Sequence, residues 1–579
     1  MTMMTKWGAA LDRSCPLPEY PRPQLRRESF YNLNGVWDYA VTPSGDEPEV
    51  WDGEIVVPFS PEAPLSGAAR GPAKDEYLHY RRGFTLPEGF QKSRVLLHFG
   101  AVDQIAEVFV NGVSAAKHSG GYWPFSADIT NLLREGENIL RVTVRDNADD
   151  PTFAYGKQRY KRGGMWYTAQ SGIWQTVWLE SVPEVYVKSL RITPEFDEAR
   201  VRIELETALE SRAAITCDVR AADGSFVAGS WAKGGVCVVP LPGFRAWTPD
   251  DPYLYTLDIT CGEDRVESYF AMRKFSYVEL GGHKVFGLNN APLFHNGLLD
   301  QGYYPDGLLT PPSDEAMVND IETMKRCGFN MLRKHIKIEP LRWYYHCDRL
   351  GMIVWQDMVS GGQPYSFLHV SALPTLGKVD LPDQDAKPYG RSGVLSRARF
   401  RREMADTVRL LYNCPCIALW TVFNEGWGQF DALDMANELK KLDPTRFIDH
   451  ASGWQDQGYE EMKSRHIYFR PVKLKNDGRA LALTEYGGYI LAVDGHRWTD
   501  KVFGYRICRD SAALAHDYEK LMLGQVLPHI RKEGLTAAVY TQITDVEEEL
   551  NGLMTYDREV LKIPEETLRE INAALRFDA

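Results

Sequence analysis

Residues 416–425 read Cys-Ile-Ala-Leu-Trp-Thr-Val-Phe-Asn-Glu, and this stretch decides the fold of the second half of the chain. An uncharged, mostly apolar run ends abruptly in Asn424 and Glu425, and an amphipathic pattern over residues 397–412 precedes it. A helical period followed by a short apolar strand is the unit from which parallel sheets are built. The stretch therefore predicts a buried parallel strand with two polar side chains at its carboxyl end.

The same alternation recurs on both sides of this strand. Helices are predicted over residues 314–327, 340–349 and 512–532, and apolar strands over 328–335, 352–358, 481–488 and 537–545. Roughly 300 residues of this pattern fit one eight-stranded barrel, whose usual size is about 250 residues. A doubly wound sheet is less favoured, because the sequence lacks the glycine-rich phosphate loop typical of that fold. We predict a (β/α)8 TIM barrel over residues 274–579.

The first half of the chain consists of short alternating strands broken by turn signals. Asn111-Gly112 lies between two alternating runs and is a strong hairpin signal. Further period-two runs at 185–196 and 200–209 follow after a short break. The pattern predicts two antiparallel β-sandwiches, one over residues 1–182 and a smaller one over 183–273.

Composition excludes several classes of function. The 579 residues include 66 Lys and Arg against 79 Asp and Glu, and the net charge of −13 opposes binding to nucleic acid or to an anionic membrane. The nine cysteines lack the spacing of a zinc site or a disulfide scaffold. No apolar run reaches the roughly 18 residues of a membrane span, and the N-terminus lacks a secretory signal, so we expect a cytoplasmic protein.

In such a barrel the functional groups follow the carboxyl ends of the strands. The polar residues at those positions are Asp300, Arg333, His335, Asp357, Asn424, Glu425, Tyr468, Glu485, Gln542 and Asp545. Two of them, Glu425 and Glu485, end strands that are nearly free of charge. Two facing carboxyl groups suit glycoside hydrolysis, in which one protonates the leaving oxygen and the other attacks the sugar or activates water. The alternative is that each pairs with a basic side chain such as Arg333 or Lys334.

Several motifs resemble glycoside hydrolase family 2, the family of β-galactosidases and β-glucuronidases. Asn424-Glu425-Gly-Trp is similar to the acid/base motif of these barrels, and Thr484-Glu485-Tyr486-Gly487 to the nucleophile motif. The sandwich motifs are Tyr80-Arg-Arg-Gly-Phe84, Val110-Asn-Gly112, Ser171-Gly-Ile-Trp-Gln-Thr-Val-Trp-Leu-Glu180 and Trp247-Thr-Pro-Asp-Asp-Pro-Tyr-Leu-Tyr255. The resemblance covers essentially the whole chain and implies a jelly-roll sandwich, an immunoglobulin-like sandwich and a catalytic barrel.

The resemblance also implies roles for individual residues. Glu425 is expected to be the general acid/base and Glu485 the nucleophile of a retaining mechanism. Asn424 is expected to bind the sugar 2-hydroxyl, and Tyr468 to direct its hydroxyl at the nucleophile. Further candidates for binding the sugar or its leaving group are His335, Arg333, Asp300, Asp357, Trp427 and Tyr540. No metal or other cofactor is implied, and the expected partner is a small glycoside or oligosaccharide.

The sequence departs from the family pattern where the sugar is selected. β-Glucuronidases typically carry an Asn-x-Lys pair that holds the sugar carboxylate, and this chain has none. The expectation is therefore a β-galactosidase-like exo-β-glycosidase. A β-uronidase remains an alternative, with Arg333, Lys334 or Lys337 holding the carboxylate. The other alternative is a non-catalytic carbohydrate-binding protein on the same scaffold. Family members commonly form dimers or tetramers, so the resemblance implies a homo-oligomer.

Overall fold

The computed structural model describes residues 3–209, 214–376 and 380–578. Its first sandwich packs a six-stranded sheet against a four-stranded sheet, and all strand pairs within these sheets are antiparallel. In spatial order the larger sheet comprises Gly53–Val57, Gly35–Thr42, Tyr77–Phe84, Asn138–Arg145, Ile105–Val110 and Val113–Ser119. The smaller comprises Tyr31–Asn32, Val177–Val182, Arg94–Phe99 and Phe125–Asp128.

The predicted hairpin at Asn111-Gly112 is confirmed. Strands Ile105–Val110 and Val113–Ser119 pair antiparallel across these two residues, which have φ angles of 51° and 85°. A two-residue turn with positive φ at both positions matches the twist of the flanking strands, and Asn and Gly tolerate it best. The turn therefore fixes the register of this edge of the sandwich.

The second sandwich is smaller and also antiparallel, as predicted. One sheet comprises Val187–Glu195, Arg200–Thr207 and Val236–Pro240, and the other Phe226–Trp231, Ile215–Arg220, Tyr255–Cys261 and Asp264–Phe270. Alternate residues of these strands, such as Val201, Ile203, Leu257 and Ile259, are buried between the two sheets. A period-two pattern with one buried face is the expected signature of this packing.

The C-terminal part of the chain forms a parallel eight-stranded barrel. We number its strands β1 His295–Asp300, β2 Met331–Lys334, β3 Ile353–Asp357, β4 Ile417–Thr421, β5 Phe447–Asp449, β6 Met462–Ile467, β7 Ala480–Gly487 and β8 Leu535–Thr541. The hydrogen-bonded order is β5-β4-β3-β2-β1-β8-β7-β6, so the barrel is nearly closed. The prediction of a (β/α) barrel is confirmed.

Helices cover the outside of the barrel. They are α1 Asp314–Arg326, α2 Leu341–Leu350, α3 Val394–Leu411, α4 Ala432–Leu442, α5 Ser511–Leu521, α6 Leu527–Glu533 and α7 Glu565–Ala573. The helix predicted over residues 512–532 is interrupted by a π turn at Met522–Val526, which separates α5 from α6. Within the described residues we find no helix with the length and apolar character needed to cross a bilayer.

An antiparallel sheet closes the amino end of the barrel. Strands Phe275–Leu280, His283–Leu288 and Ala291–Pro292 form it, although the sequence prediction assigned this stretch to the barrel as a whole. Its Phe286 ring stacks on Phe447 of β5 with a 4.2 Å centroid separation. Because apolar side chains fill this end, polar groups can gather only at the carboxyl ends of the strands.

One segment of the first sandwich reaches the carboxyl end of the barrel. This segment, residues 153–168, is called the sandwich arm below. The Tyr155 N–H donates to the Ser360 carbonyl over 3.1 Å, and the Thr168 N–H donates to Glu547 over 2.8 Å. The arm therefore forms one wall of the barrel rim.

Candidate active site

Glu425 and Glu485 face each other at the carboxyl end of the barrel. Glu425 lies just after β4 with a φ of 55°, and its N–H donates to the Ser452 carbonyl over 2.9 Å. Glu485 lies within β7, whose residues are all buried. One oxygen of each carboxyl group lies within 4.8 Å of the other. The Glu425 side chain is 20% exposed and that of Glu485 6%, so the more accessible carboxyl group is the one after β4.

Arg333 at the end of β2 organises the floor of the site. Its guanidinium is fully buried and donates to Asp357 over 2.9 and 3.0 Å. It also donates to Glu485 over 3.1 Å and to the Asn424 side-chain oxygen over 2.8 Å. Burial opposes the charge of Arg333, but the Asp357 and Glu485 carboxylates raise its pKa overall. One cation therefore fixes both Asn424 and Glu485.

Tyr468 follows β6 and donates its hydroxyl to Glu485 over 2.5 Å. Its ring stacks on Tyr505 with centroids 3.9 Å apart. Burial, together with the nearby charge of Glu485, raises the pKa of Tyr468 well above its usual value. Tyr468 therefore remains protonated and acts as a hydrogen-bond donor to Glu485, in the arrangement that the family resemblance implied.

The two glutamates differ in how their ionised forms are stabilised. Burial raises the pKa of Glu425, and the Lys157 and Arg333 cations oppose that rise. Burial and the charge of Glu425 raise the pKa of Glu485, whose ionised form accepts hydrogen bonds from Arg333 and Tyr468. Hydrogen bonds donated to a carboxylate favour ionisation. Glu485 is thus suited to be an anion and Glu425 to carry a proton.

His466, near the end of β6, is a site residue that the sequence analysis missed. Its Nδ1 lies 2.9 Å from Glu425 Oε1 and 3.5 Å from Glu485 Oε2. Burial lowers the pKa of His466 to about 4, so the imidazole is neutral at physiological pH. The signal was present, because His466 stands two residues before Tyr468 near the end of the same strand.

His335 and Asp357 form a second buried pair beside Arg333. His335 Nδ1 lies 2.7 Å from Asp357 Oδ2. Burial alone would raise the pKa of Asp357, but the Arg333 guanidinium and the hydrogen bond with His335 bring it to about 2. Burial lowers the pKa of His335 to about 3. A neutral His335 that donates Nδ1–H to Asp357 keeps its other nitrogen as an acceptor, consistent with the predicted contact to a sugar hydroxyl.

Two of the predicted candidates, Asp300 and Trp427, make their contacts within the protein. Asp300 accepts from Lys334 over 2.7 Å and from the Gly302 N–H over 2.9 Å, so both of its oxygens are occupied. Trp427 is 5% exposed, and its ring packs edge-on against Trp166 at 5.1 Å.

Tyr540 is a correction to the sequence analysis. It is 1% exposed and packs outside the strand against Tyr486 of β7 and Tyr518 of α5. The next residue, Thr541, lies on the opposite face of β8 and reaches Tyr468 at 3.1 Å. Because side chains alternate across a strand, a prediction that is off by one residue places the side chain on the wrong face of the strand.

The lysines proposed as alternative carboxylate ligands are also engaged elsewhere. Lys334 and Lys337 are buried, and both donate to Glu339 over 2.8 Å. Lys337 donates as well to the Leu309 carbonyl over 2.8 Å. Together with the four hydrogen bonds of Arg333 to side chains, these contacts leave no cation of this strand end directed at a sugar.

The sandwich arm adds side chains from another domain that the sequence analysis did not place at the rim as a group. Trp166 packs on Trp427, and Arg159 stacks over Trp166 at 4.4 Å. Lys157 lies 5.6 Å from the Trp166 ring and acts electrostatically on Glu425. The arm thus brings the Trp166 ring and two cations, Lys157 and Arg159, to the rim of the barrel.

A further acidic group lies between the arm and β8. Tyr167 of the arm donates its hydroxyl to Glu549, which is 4% exposed. Asn551 accepts from Gln542 over 2.8 Å, and Gln542 in turn accepts from Gln301 over 2.9 Å. Neutral amides and the Glu549 carboxyl group therefore lie together on the rim after β8.

Two groups among the described residues have the geometry of metal ligands. They are Glu425 with His466 and Glu485, and His496 with Asp557 and Glu559, each with its ligand atoms within 4.8 Å of one another. Hydrogen bonds already occupy the side chains of the first group, and we assign no metal to it. The expectation of a metal-free reaction stays a prediction.

Comparison with family models gives matches in all three parts of the chain. "Glycosyl hydrolases family 2, sugar binding domain" matches residues 64–183. "Glycosyl hydrolases family 2" matches residues 185–273, and "Glycosyl hydrolases family 2, TIM barrel domain" matches residues 311–473. The matches follow the order of the two sandwiches and the barrel, and together they cover more than half of the chain.

Some of the sequence relatives are named β-galactosidases and others β-glucuronidases. A β-galactosidase from Thermoanaerobacter pseudethanolicus is 25% identical over 387 residues, 63% of this chain and 47% of that protein. A β-glucuronidase from Paenibacillus borealis is 22% identical over 535 residues, 82% of this chain and 85% of that protein. The solved structure of a β-glucuronidase from an uncultured Clostridium species has a TM-score of 0.74 at 19% identity, covering 95% of this chain and 98% of that chain. The chain spans about half the length of the β-galactosidases it matches.

Proposed function

The chain belongs to glycoside hydrolase family 2, and from that premise we propose that it is a retaining exo-β-glycosidase that releases a terminal β-linked sugar. The single observation that carries this proposal is the pair of facing carboxyl groups, with oxygens of Glu425 and Glu485 within 4.8 Å of one another. Retaining enzymes hold the two groups about 5–5.5 Å apart, whereas inverting enzymes need about 6.5–9.5 Å to admit a water molecule. The separation supports double displacement.

In the first step Glu485 attacks the anomeric carbon while Glu425 donates its proton to the departing oxygen. This assignment follows the accessibility and bonding of the two groups, since Arg333 and Tyr468 donate hydrogen bonds that stabilise the ionised form of Glu485. In the second step Glu425 removes a proton from water, which attacks the glycosyl ester and frees Glu485. The proton given to the leaving group is thus recovered from water.

Asn424 is positioned to recognise the sugar. Its side-chain oxygen accepts a hydrogen bond from Arg333 over 2.8 Å, and this bond fixes the orientation of the amide group. The amide nitrogen is then the group available to the 2-hydroxyl. A hydrogen bond to that hydroxyl accelerates the reaction when it strengthens in the oxocarbenium-like transition state.

We propose a neutral sugar, as in β-galactosidases. Arg333, Lys334 and Lys337 are all engaged in contacts within the protein. The rim after β8 presents amides and the buried Glu549, which disfavours a second anion nearby. A β-uronidase is the second candidate, favoured by Lys157, whose charge acts on Glu425 from the sandwich arm. Because the sandwich arm closes one side of the barrel rim, we propose that the site accepts a sugar at the end of a chain.

A panel of nitrophenyl β-glycosides tests the proposal, with the galactoside, glucuronide and galacturonide as its central members. Hydrolysis of the galactoside with little turnover of the two uronides supports the neutral-sugar assignment, and the reverse ranking assigns a uronidase. Glu485→Gln and Glu425→Gln serve as controls, and both should remove most turnover at unchanged thermal stability. Calorimetric binding of a sugar without hydrolysis of any glycoside would identify a non-catalytic binding protein instead.

A further inference from the structure

The imidazole of His466 is held rigidly between the two glutamates. Gly453 lies over its face with a φ of 94°, and a Cβ built there would be 2.5 Å from the ring carbon Cγ. The Trp454 ring packs edge-on at 5.5 Å, and its indole N–H donates to the Glu425 carbonyl over 2.8 Å. Only glycine leaves room for the ring at this position, so the orientation of His466 is built into the backbone.

A chain of hydroxyl groups behind the ring determines where its proton lies. Thr484 donates to the Arg465 carbonyl over 3.5 Å, and Ser452 donates to Thr484 over 3.0 Å. Ser452 has only one hydrogen to donate. Thr484 and the Asp449 carboxylate are the acceptors for that single hydrogen, so the contact of 3.2 Å between Ser452 and His466 Nε2 requires Nε2–H as the donor.

We infer that His466 is the Nε2–H tautomer and that its Nδ1 lone pair accepts the proton of Glu425, which makes His466 a positioning residue that holds the acid/base in its protonated form. The inference rests on the proposed function, because it assigns a partner to the acid of that reaction. A neutral imidazole carries one N–H and one lone pair. With Nε2 protonated, the contact of 2.9 Å to Glu425 Oε1 is a hydrogen bond only if Glu425 supplies the hydrogen.

The charges around the pair are consistent with this assignment. Burial lowers the pKa of His466 to about 4 and raises the pKa of Glu425, so a neutral ring faces a neutral acid. The titratable groups that face the pair from neighbouring elements are Lys157, Arg333, Asp357, Tyr365, Tyr468, Glu485 and Tyr505. Arg333 and Tyr468 donate their hydrogen bonds to Glu485, not to the Glu425 carboxyl group. His466 Nδ1 is therefore the group placed to accept the proton of Glu425.

His466 neither gains nor loses a proton during turnover. The O–H bond of Glu425 breaks as the leaving oxygen takes the proton, and the resulting carboxylate then faces an Nδ1 lone pair. That contact is unfavourable until Glu425 takes a proton from the attacking water. His466 thus favours the acid form before the first step and promotes recovery of the proton in the second.

The test is the pH profile of kcat/KM for His466→Phe against wild type, using a nitrophenyl-free alkyl glycoside whose departure needs protonation. Removing an acceptor of the Glu425 proton destabilises the acid form, so the alkaline limb should move to lower pH by about 0.5–1 unit. Ser452→Ala should move it in the same direction. A shift to higher pH, or no shift, overturns the inference, because an Nδ1–H donor would instead have favoured the carboxylate.

Two further measurements separate this role from general damage. With a 2,4-dinitrophenyl glycoside, whose leaving group needs no acid, the variants should lose far less activity than with the alkyl glycoside. Nitrogen-15 labelling of the 13 histidines should show, by comparison with His466→Gln, an unprotonated Nδ1 in wild type. A protonated Nδ1 overturns the inference whatever activity the variants retain. Wild type that hydrolyses no glycoside would defeat the proposed function, whereas active wild type with a protonated Nδ1 would defeat only this inference.

Discussion

Replacing Tyr468 with Phe removes a single hydrogen bond from the proposed nucleophile. The hydroxyl donates to Glu485 over 2.5 Å, while the ring stacks on Tyr505 with centroids 3.9 Å apart. Phe retains the stacking ring and lacks only the donor. The variant therefore measures what one hydroxyl contributes to keeping Glu485 ionised.

The size of the effect follows from the charge of the acceptor. A hydrogen bond to a charged group contributes about 1.5–3 kcal/mol. At about 1.36 kcal/mol per tenfold change, its loss should lower the ionised fraction of Glu485, and with it kcat/KM at pH values below the shifted pKa, roughly 10–150-fold. Tyr468 stabilises the ionised form of Glu485 and so lowers its pKa, and the variant should raise that pKa by about 1–2 units. Because activity needs the ionised nucleophile, the acid limb of the pH profile should move to higher pH.

The assay is the pH profile of kcat/KM with an activated aryl glycoside, and Tyr540→Phe is the matched control. Tyr540 is also a buried tyrosine, but it lies outside the site, where its hydroxyl accepts from the Tyr489 N–H over 3.3 Å. The control should retain activity near that of wild type. An acid limb that stays in place in Tyr468→Phe, or moves to lower pH, would refute the assigned role of this hydroxyl.

Further changes test other parts of the account. Arg333→Met leaves Asp357 and Glu485 buried without their cation. The free energy of unfolding, measured by chemical denaturation, should therefore fall by about 3–5 kcal/mol. An unchanged free energy of unfolding would contradict the network. Gly453→Ala should displace His466 and move the alkaline limb of kcat/KM to lower pH, as His466→Phe does, whereas Gly458→Ala, with a similar φ of 82° and open space around it, should leave the profile unchanged. Wild-type kcat/KM should be bell-shaped, with Glu485 ionisation on the acid side and loss of the Glu425 proton on the alkaline side, the latter above the ordinary range of a glutamic acid because burial raises that pKa.

Much of the site was predictable because it lies at the ends of apolar strands. Glu425, Glu485 and Arg333 each follow or end a short uncharged run, and parallel strands bring such positions, together with Tyr468 after β6, to one edge of a barrel. The antiparallel sandwiches were predictable for a similar reason, since their period-two runs and the Asn111 turn are local signals.

The remaining features depend on contacts that no local pattern encodes. Lys157 and Trp166 reach the barrel from another domain, and Tyr505 comes from a loop that stacks on Tyr468. Asp300 has the sequence position of a site residue, but its neighbour across the strand pair, Lys334, occupies it. Tyr540 was misplaced because side chains alternate across a strand and Thr541 is the residue that faces the site.

The central claim is a covalent glycosyl ester on Glu485, and trapping that ester tests it most directly. A 2-deoxy-2-fluoro-β-glycoside of the preferred sugar should slow both the formation and the hydrolysis of the ester. With a dinitrophenyl leaving group, formation remains faster than hydrolysis, so the ester should accumulate. Mass spectrometry of the digested protein should then find one fluorosugar on the peptide that contains Glu485, and the first product released by the untreated enzyme should be the β-anomer. An α-anomeric first product, or a label on a peptide without Glu485, would contradict the account.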